Sequence, residues 1–556
     1  MEPKQKTIFD TFNFRTFIFS SFYSILFTFF LLLGDNLNTH LTIWAKFNVF
    51  HYAAIFCILN LLCYLFLDNI DTIINKVESI KIFPKLENIF FKDSKKCFWN
   101  CFLFITICHL PIFLAYFPGI FTYDTYYQLN VFTLNNRIEI HPIMHTLMIY
   151  AVWLFEKTFH TTWVGVFIYT AIQSLITIGI YSYCIKLLSK FNTAYYIKFL
   201  SLLFFAFYPT NQIFHLIATK DAYFCIFVLL FVLLLTELTL DKESFLSKKS
   251  KKIFLFSSIL LMLLFRHNGF HAYLMCLPFF IFYFRKDIKK VLPIFLTPVL
   301  FILVFSIIKV HVGLEPPSSA SALAVPLQQM ARVRQNQAQF LSEEEKEQYV
   351  SIVSKEKEEV YDFWSVDAIK LDDYEIQRSD YIEKALKTNL IGIIKLYAKW
   401  GIRYPIDYID AFLLNTYKYW YVEASWKATG YPHSYLATHQ WYTDYYGVEL
   451  EEYSLLPKLQ YWYDMLLARN SFYLLPVANA MFAIAYNTWF IILGFVLLFY
   501  RKKYNYIVVL SIIPALFITA LLGPTVVIRY VWQNFQILPL LLAFCFSNLN
   551  ITVEKN

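Results

Sequence analysis

Charge is scarce in this chain: Asp, Glu, Lys and Arg make up 16% of 556 residues, against about 25% in soluble domains. A water-soluble protein is excluded by that figure together with a 58% hydrophobic content and a mean hydropathy of +0.49. Glycine numbers only 12, which rules out a collagen-like chain. The nine cysteines all lie in or at the ends of apolar segments, and none falls between His311 and Asn470. They read as small buried hydrophobes, with neither a disulfide framework nor a zinc site indicated. No short apolar core with a small-residue cleavage site opens the chain, so its first apolar run is read as a retained membrane helix. No repeat of fixed period and no glycine-rich nucleotide loop is found.

What is abundant is apolar and aromatic, the aromatic share being 20%. Long apolar runs recur, starting with Phe17–Gly34, Val49–Leu67 and Phe98–Phe117 and ending with Leu474–Tyr500, Ile507–Leu522 and Val526–Phe546. Each is near the roughly 20 residues that a bilayer requires. The expectation is an α-helical polytopic membrane protein with about twelve transmembrane helices. The formal net charge of +8 needs no nucleic-acid partner. Lys and Arg cluster between apolar runs, as at Lys76 to Lys96, Lys248 to Lys252 and Arg501 to Lys503, and the positive-inside rule makes those loops cytoplasmic. Counting Met144–Phe159 as a crossing would turn the later basic clusters outward, so it is read as a surface helix.

Five regions follow: N-terminal transmembrane helices (1–117), a first outer loop with surface helices (118–162), a central transmembrane bundle (163–310), a mainly helical extracytoplasmic domain (311–470) and C-terminal transmembrane helices (471–556). In the polar domain Ser342 and Glu345 have the spacing of a capping box, starting a helix expected to run to Val360. Tyr417–Tyr446 is dense in Tyr and Trp, among them Tyr419, Trp420, Tyr421, Trp426, Tyr431, Tyr435, Trp441 and Tyr442. These rings would stack on sugars or form an aromatic belt at the membrane interface.

The residues able to carry chemistry gather in the segments placed outside. Asp124 is the only acid between Asp93 and Glu139 and follows the Pro118–Gly119 helix break. A carboxylate there can accept a proton from an attacking hydroxyl, or serve as a plain loop cap. Gln128 follows it. His141 and His145 are four apart with Pro142 at a first-turn position, so both rings share a helix face. Without the His-Glu-x-x-His order they point to hydrogen bonding or substrate positioning rather than zinc. Lys220 and Asp221 open one apolar helix, Arg266 ends another run before Asn268 and Gly269, and Arg529 with Tyr530 begins the last crossing. Cations at membrane depth are costly and mark a polar cavity or an anionic ligand, unless they pair together or snorkel to water. Gln328, Gln329 and Arg332 follow a small-residue run just inside the polar domain, where a loop would be able to approach the membrane cavity.

The Pro-Gly-x-x-x-x-Asp segment ending at Asp124, the long first loop, the Lys220–Asp221 turn and the Arg266-x-Asn268-Gly269 corner together resemble bacterial integral-membrane glycosyltransferases of the GT-C superfamily. The nearer likeness is to a Gram-positive branch, in order from about Phe98 to Tyr530. The resemblance implies transfer of a sugar from a polyprenyl-phosphate carrier to a cell-surface glycan, lipid or protein acceptor, with inversion, at the outer face of the cell membrane. It makes Asp124 the general base and Asp221 a second acid that orients substrate or holds a divalent ion. Arg266, with Lys220 or Arg529, would hold the carrier phosphate. The first loop lacks the Asp-x-Asp or Glu-x-Asp pair of metal-dependent members, so no cofactor is required and a divalent metal stays an open alternative. A transporter or lipid flippase, and a non-catalytic envelope assembly protein, are the competing classes.

Overall fold

The computed structural model describes residues 12–78, 84–122, 124–125, 128, 139, 141–161, 163–191, 193–316, 319–371, 379–423, 454–467, 483–547 and 549. The architecture is that of an α-helical membrane protein. Among the described residues six helices are long and apolar enough to cross a bilayer: α1 (Phe14–His40), α2 (Val49–Asp68), α3 (Ser94–Ala115, with its apolar stretch from Lys96), α5 (Val164–Lys190), α7 (Lys220–Leu240) and α10 (Ile288–His311, with the preceding turn from Arg285). A seventh arises if α17 (Tyr504–Leu510) and α18 (Ile512–Leu521), bent 43° to each other, count as one span.

Several of the other apolar runs form shorter or broken helices among the described residues. The run expected from Tyr196 to Ile217 breaks after α6 (Tyr195–Phe207), because Pro209 starts a new short helix there. The last run likewise divides into a turn at Ile528–Tyr530, α19 (Trp532–Gln536) and α20 (Leu538–Phe546). Two 17-residue helices, α8 (Lys249–Phe265) and α9 (His267–Tyr283), meet at a corner where Arg266 is extended. Met144–Phe159 lies within a single 17-residue helix, α4 (Ile143–Phe159), which packs on α5 and α8 through Ile143, His145, Ile149 and Val152.

Helix α7 sits at the centre, buried along nearly all its length and packed against α5, α8 and α19. Nearly every position from Asp221 to Leu238 is enclosed, which suits a sequence apolar all round. Helix α2, by contrast, fully buries only Cys63 and Leu67 and leaves Val49, Phe50, Ile58, Leu61, Leu62 and Leu65 exposed, as lipid-facing residues are. The free thiols fit the hydrophobic role, seven of nine being fully buried.

The polar domain has its own core, in which Leu327, Met330, Tyr349, Ile352, Ile382, Leu396 and Trp400 pack together. Its longer helices are α11 (Ala324–Asn336), α12 (Glu343–Val353), α13 (Asp380–Arg403) and α14 (Pro405–Thr416), and α15 (Pro457–Leu467) and the apolar α16 (Ile484–Tyr500) come next in the chain. Both bonds of the capping box are made: Ser342 Oγ accepts from Glu345 N, and Ser342 N donates to Glu345 Oε2 at 2.8 Å. Helix α12 stops at Val353 rather than Val360, because Ser354 turns to φ +77°. Of the aromatic stretch, Tyr417, Tyr419, Trp420 and Tyr421 are buried. Trp489 Nε1 donates to the Trp420 carbonyl at 2.7 Å and Tyr421 Oη to Asp35 at 2.6 Å, so these four rings are packing residues. Trp426, Tyr431, Tyr435, Trp441 and Tyr442 lie outside the described residues.

A buried cluster of two carboxylates and three cations

A two-residue parallel ladder brings the first loop to the central helix. Ile120 pairs with Ile217 and Phe121 with Ala218. Gly119, at φ +146°, makes the entering turn, and a Cβ there would come within 2.1 Å of Thr170 Oγ1. Thr125 Oγ1 then donates to the Ala218 carbonyl at 3.0 Å. The ladder fixes Asp124 opposite the first turn of α7, whose N-cap Thr219 accepts from the Asp221 amide.

Asp124 Oδ2 receives Lys220 Nζ at 2.7 Å and an Arg529 guanidinium nitrogen at 2.6 Å. Asp221 Oδ1 lies 2.8 Å from Arg266, and its Oδ2 lies 3.6 Å from Arg529 Nε. These Asp221 contacts have ion-pair distance without hydrogen-bond geometry, leaving both its oxygens without a good donor. The Arg266 guanidinium stands 4.3 Å over the Tyr530 ring. All five charged side chains are nearly enclosed, the most exposed being Lys220 at 12%. Among the described residues, these three cations and two carboxylates sum to one positive charge. Burial by itself raises the Asp124 pKa, but Arg529 and Lys220 outweigh it and hold this carboxyl well below the ordinary range. The space beside Arg529, lined by Thr122, Phe214 and Thr219, is about 10 Å³, room for roughly one water.

His141 and His145 flank this cluster with different commitments. His145 Nδ1 is 2.9 Å from Gln128 Oε1, and its Nε2 is 2.8 Å from Tyr169 Oη. Gln128 Nε2 donates to Thr146 Oγ1, and Tyr169 Oη donates to Gln173 Oε1 at 3.0 Å, so the ring sits in a chain of side-chain hydrogen bonds. Burial, reinforced by Lys220, brings the His145 pKa down to about 3. His141 Nε2 is enclosed without a partner, and burial together with Lys220 keeps this ring neutral. No group of three metal-ligating side chains occurs among the described residues.

A second polar group adjoins the cluster. Glu139 Oε2 meets Lys309 at 2.5 Å, and its Oε1 accepts from the Ile143 amide, capping α4. Together with His267, His271 and Ser306 they line a cavity of about 140 Å³ whose remaining walls are Pro142, Ile143, Leu263, Leu264, Phe270, Ile302, Leu303 and Phe305. His267 Nε2 is buried and unpartnered. The lining is amphiphilic, with charged and polar groups alongside hydrocarbon side chains.

The structure therefore joins Asp124, Lys220, Asp221, Arg266, Arg529 and Tyr530, with Gln128, His141 and His145 alongside. Asn268 lies half-buried in the first turn of α9. Gln328, Gln329 and Arg332 are not brought to the cluster. Gln328 donates to the Asp362 carbonyl, while Gln329 bridges the Tyr408 carbonyl and Tyr397 Oη. Arg332 pairs with Asp410 at 3.2 Å and donates to the Leu41 carbonyl at 2.5 Å. These three hold the polar domain together and to the end of α1. Sequence reasoning passed over Glu139, Lys309, Tyr169 and His267. Only the first offered a signal, as an acid just ahead of Pro142 and a helix start.

A family model matches residues 133–450, more than half of the chain. The chain belongs to DUF6020, a family of unknown function. No curated protein and no solved structure matches it. Within this DUF6020 chain the matched segment carries Lys220, Asp221, Arg266, both flanking histidines and most of the polar domain. Asp124 and Arg529 lie on either side of it. The loop bearing Arg529 is tied to the polar domain, because Val366 N donates to the Pro524 carbonyl and Asn415 Nδ2 to that of Gly523.

Proposed function

We propose that this DUF6020 protein is a membrane glycosyltransferase of the GT-C type, moving a sugar from a polyprenyl-phosphate donor to a cell-surface acceptor at the extracytoplasmic face. The observation that carries the proposal is the pairing of one carboxylate oxygen, Asp124 Oδ2, with two buried cations beside an amphiphilic cavity. An excess positive charge in a water-poor site favours a phosphate ligand. A cavity lined by both polar groups and hydrocarbon side chains suits a lipid-borne one.

The ion pairs define the chemistry. While Lys220 and Arg529 hold Asp124, its carboxylate is a weak proton acceptor. A donor phosphate competes for both cations, and as they turn to it the carboxylate is released and its basicity rises. The acceptor hydroxyl then attacks the anomeric carbon and passes its proton to Asp124. The bond from that carbon to the phosphate oxygen breaks, with the electron pair leaving on the carrier phosphate. Arg266, Lys220 and Arg529 stabilise the charge that develops there. A single displacement inverts the anomeric centre. Asp221, with two oxygens lacking good donors, is the group to orient a substrate hydroxyl or receive a divalent ion.

The test is turnover of a panel of polyprenyl-phosphate sugars by the purified protein, with and without chelator. Release of free carrier phosphate supports the transferase. A labelled lipid that crosses vesicles with its sugar bond intact identifies a flippase instead.

A further inference from the structure

One face of the polar domain has a chemistry that its own core does not use. Helix α13 breaks at Asn389, and beyond the break Ile393, Leu396 and Trp400 point into the domain core. On the other side Ile391 is 70% exposed, Ile394 56% and Ile402 84%. Ile406 and Ile409 of α14 are also exposed. Beside that row run Lys395, Lys399 and Arg403, each four residues from the next and all exposed. The acid nearest the basic row is Glu345, which meets Lys399 at 3.0 Å and Arg403 at 3.8 Å from the α12 side.

Apolar and basic rows side by side on one helix are the pattern of a segment lying in a membrane surface with anionic lipid. The surroundings give that surface a place. One turn after Ile406, the Asp410 carboxylate accepts from the Ile43 amide at 2.8 Å, and Arg332 reaches the Leu41 carbonyl. Both lie just beyond the end of the spanning helix α1. The turn between α1 and α2 exposes Leu41, Trp44 and Phe47, and Phe50 is exposed at the start of α2. The part of α14 that follows the isoleucine row is thus tied to the end of a spanning helix.

We propose that residues 390–409 rest in the leaflet on the polar-domain side, with the isoleucines at the acyl boundary and Lys395, Lys399 and Arg403 on anionic headgroups. The polar domain is then held to the membrane at its surface as well as through α1, and the loop carrying Arg529, which it grips, takes its depth from that anchorage.

The experiment uses the full chain with its exposed Cys57 replaced (C57S), reconstituted in phosphatidylcholine vesicles with or without phosphatidylglycerol. A bimane fluorophore is placed by Ile394→Cys or Ile402→Cys, and at Glu347→Cys on α12 as the reference. Lipids brominated near the carbonyl end of their acyl chains should quench the first two by about twofold or more and leave position 347 unaffected. Phosphatidylglycerol should deepen the quenching, and Lys395→Glu with Lys399→Glu should reverse that gain. Ile391→Cys provides a second apolar position should either label disturb folding. Quenching at 394 and 402 no greater than at 347 overturns the proposal, leaving residues 424–453, another protein or water as what covers the face. Quenching indifferent to phosphatidylglycerol and to the Lys395 and Lys399 substitutions overturns the anionic-lipid assignment.

Discussion

Replacing Asp124 by Asn separates binding from turnover, since the same carboxylate restrains two cations and supplies the base. Lys220, Arg266 and Arg529 stand against Asp124 and Asp221, so the substitution takes the net charge of these five groups from +1 to +2. An extra unit charge about 4 Å from a phosphate is worth about 4 kcal/mol at an effective dielectric near 20. Even a third of that tightens binding of a polyprenyl phosphate about tenfold. Without ligand the variant leaves buried cations underpaired, a loss of about 3–5 kcal/mol, so its Tm should fall and be restored by the lipid phosphate more strongly than in the parent. Turnover should drop by roughly 100-fold to 10,000-fold, the range for removal of a general base. The assay is lipid-phosphate titration by thermal shift alongside donor turnover on the same monodisperse preparations. Turnover at the parental rate, or binding no tighter than the parent's, would refute the reasoning.

Acidity should act on the same pair. Because the folded Asp124 pKa is depressed, its stabilisation is complete above the unfolded value near 3.9 and is lost as pH falls towards the folded one; the Tm difference between parent and D124N should therefore be flat from about pH 7 to 4.5 and shrink below that. Gly269→Ala brings a Cβ to 2.7 Å from the Phe224 ring and 3.1 Å from the Met262 carbonyl, displacing the Arg266 corner; a stability loss of about 1–3 kcal/mol with a matching fall in activity is expected by chemical denaturation and donor turnover. Glu139→Gln leaves Lys309 without its carboxylate at the cavity rim, with an expected cost of about 3 kcal/mol that Lys309→Met in the same chain largely removes. Gln329→Ala should lower the thermal stability of the polar domain while leaving KM for the donor unchanged, since its partners are Tyr397 and Tyr408; a raised KM would return this residue to the substrate site.

The cluster was legible because charge is rare here. In an apolar chain Asp124, Lys220, Asp221, Arg266 and Arg529 stand out individually, and loop assignment alone places them together. Their pairing was not legible: that Arg529 reaches Asp124 depends on the ladder at Ile120 and Ile217, two residues long and without a sequence signal of its own. Gln328, Gln329 and Arg332 show the converse, since a polar run after small residues reads equally as a site or as the inside of a domain, and only the positions of Asp362, Tyr408 and Asp410 decide. The breaks within the apolar runs were not legible for a related reason. Hydropathy reports apolar length, whereas Pro209 and the extended Arg266 break the helices at the very ends where polar groups gather.

The central claim is that the sugar bond of a phosphate-linked lipid is broken and remade at this cluster. The direct measurement gives the reconstituted parent protein polyprenyl-phosphate donors labelled in the sugar, together with a cell-envelope acceptor fraction, and determines the label's destination and anomeric configuration. The account predicts label on the acceptor with the configuration inverted, free carrier phosphate released in equal amount, and neither in D124N. Label that stays on its carrier for every donor, or transfer with the configuration retained, would contradict it.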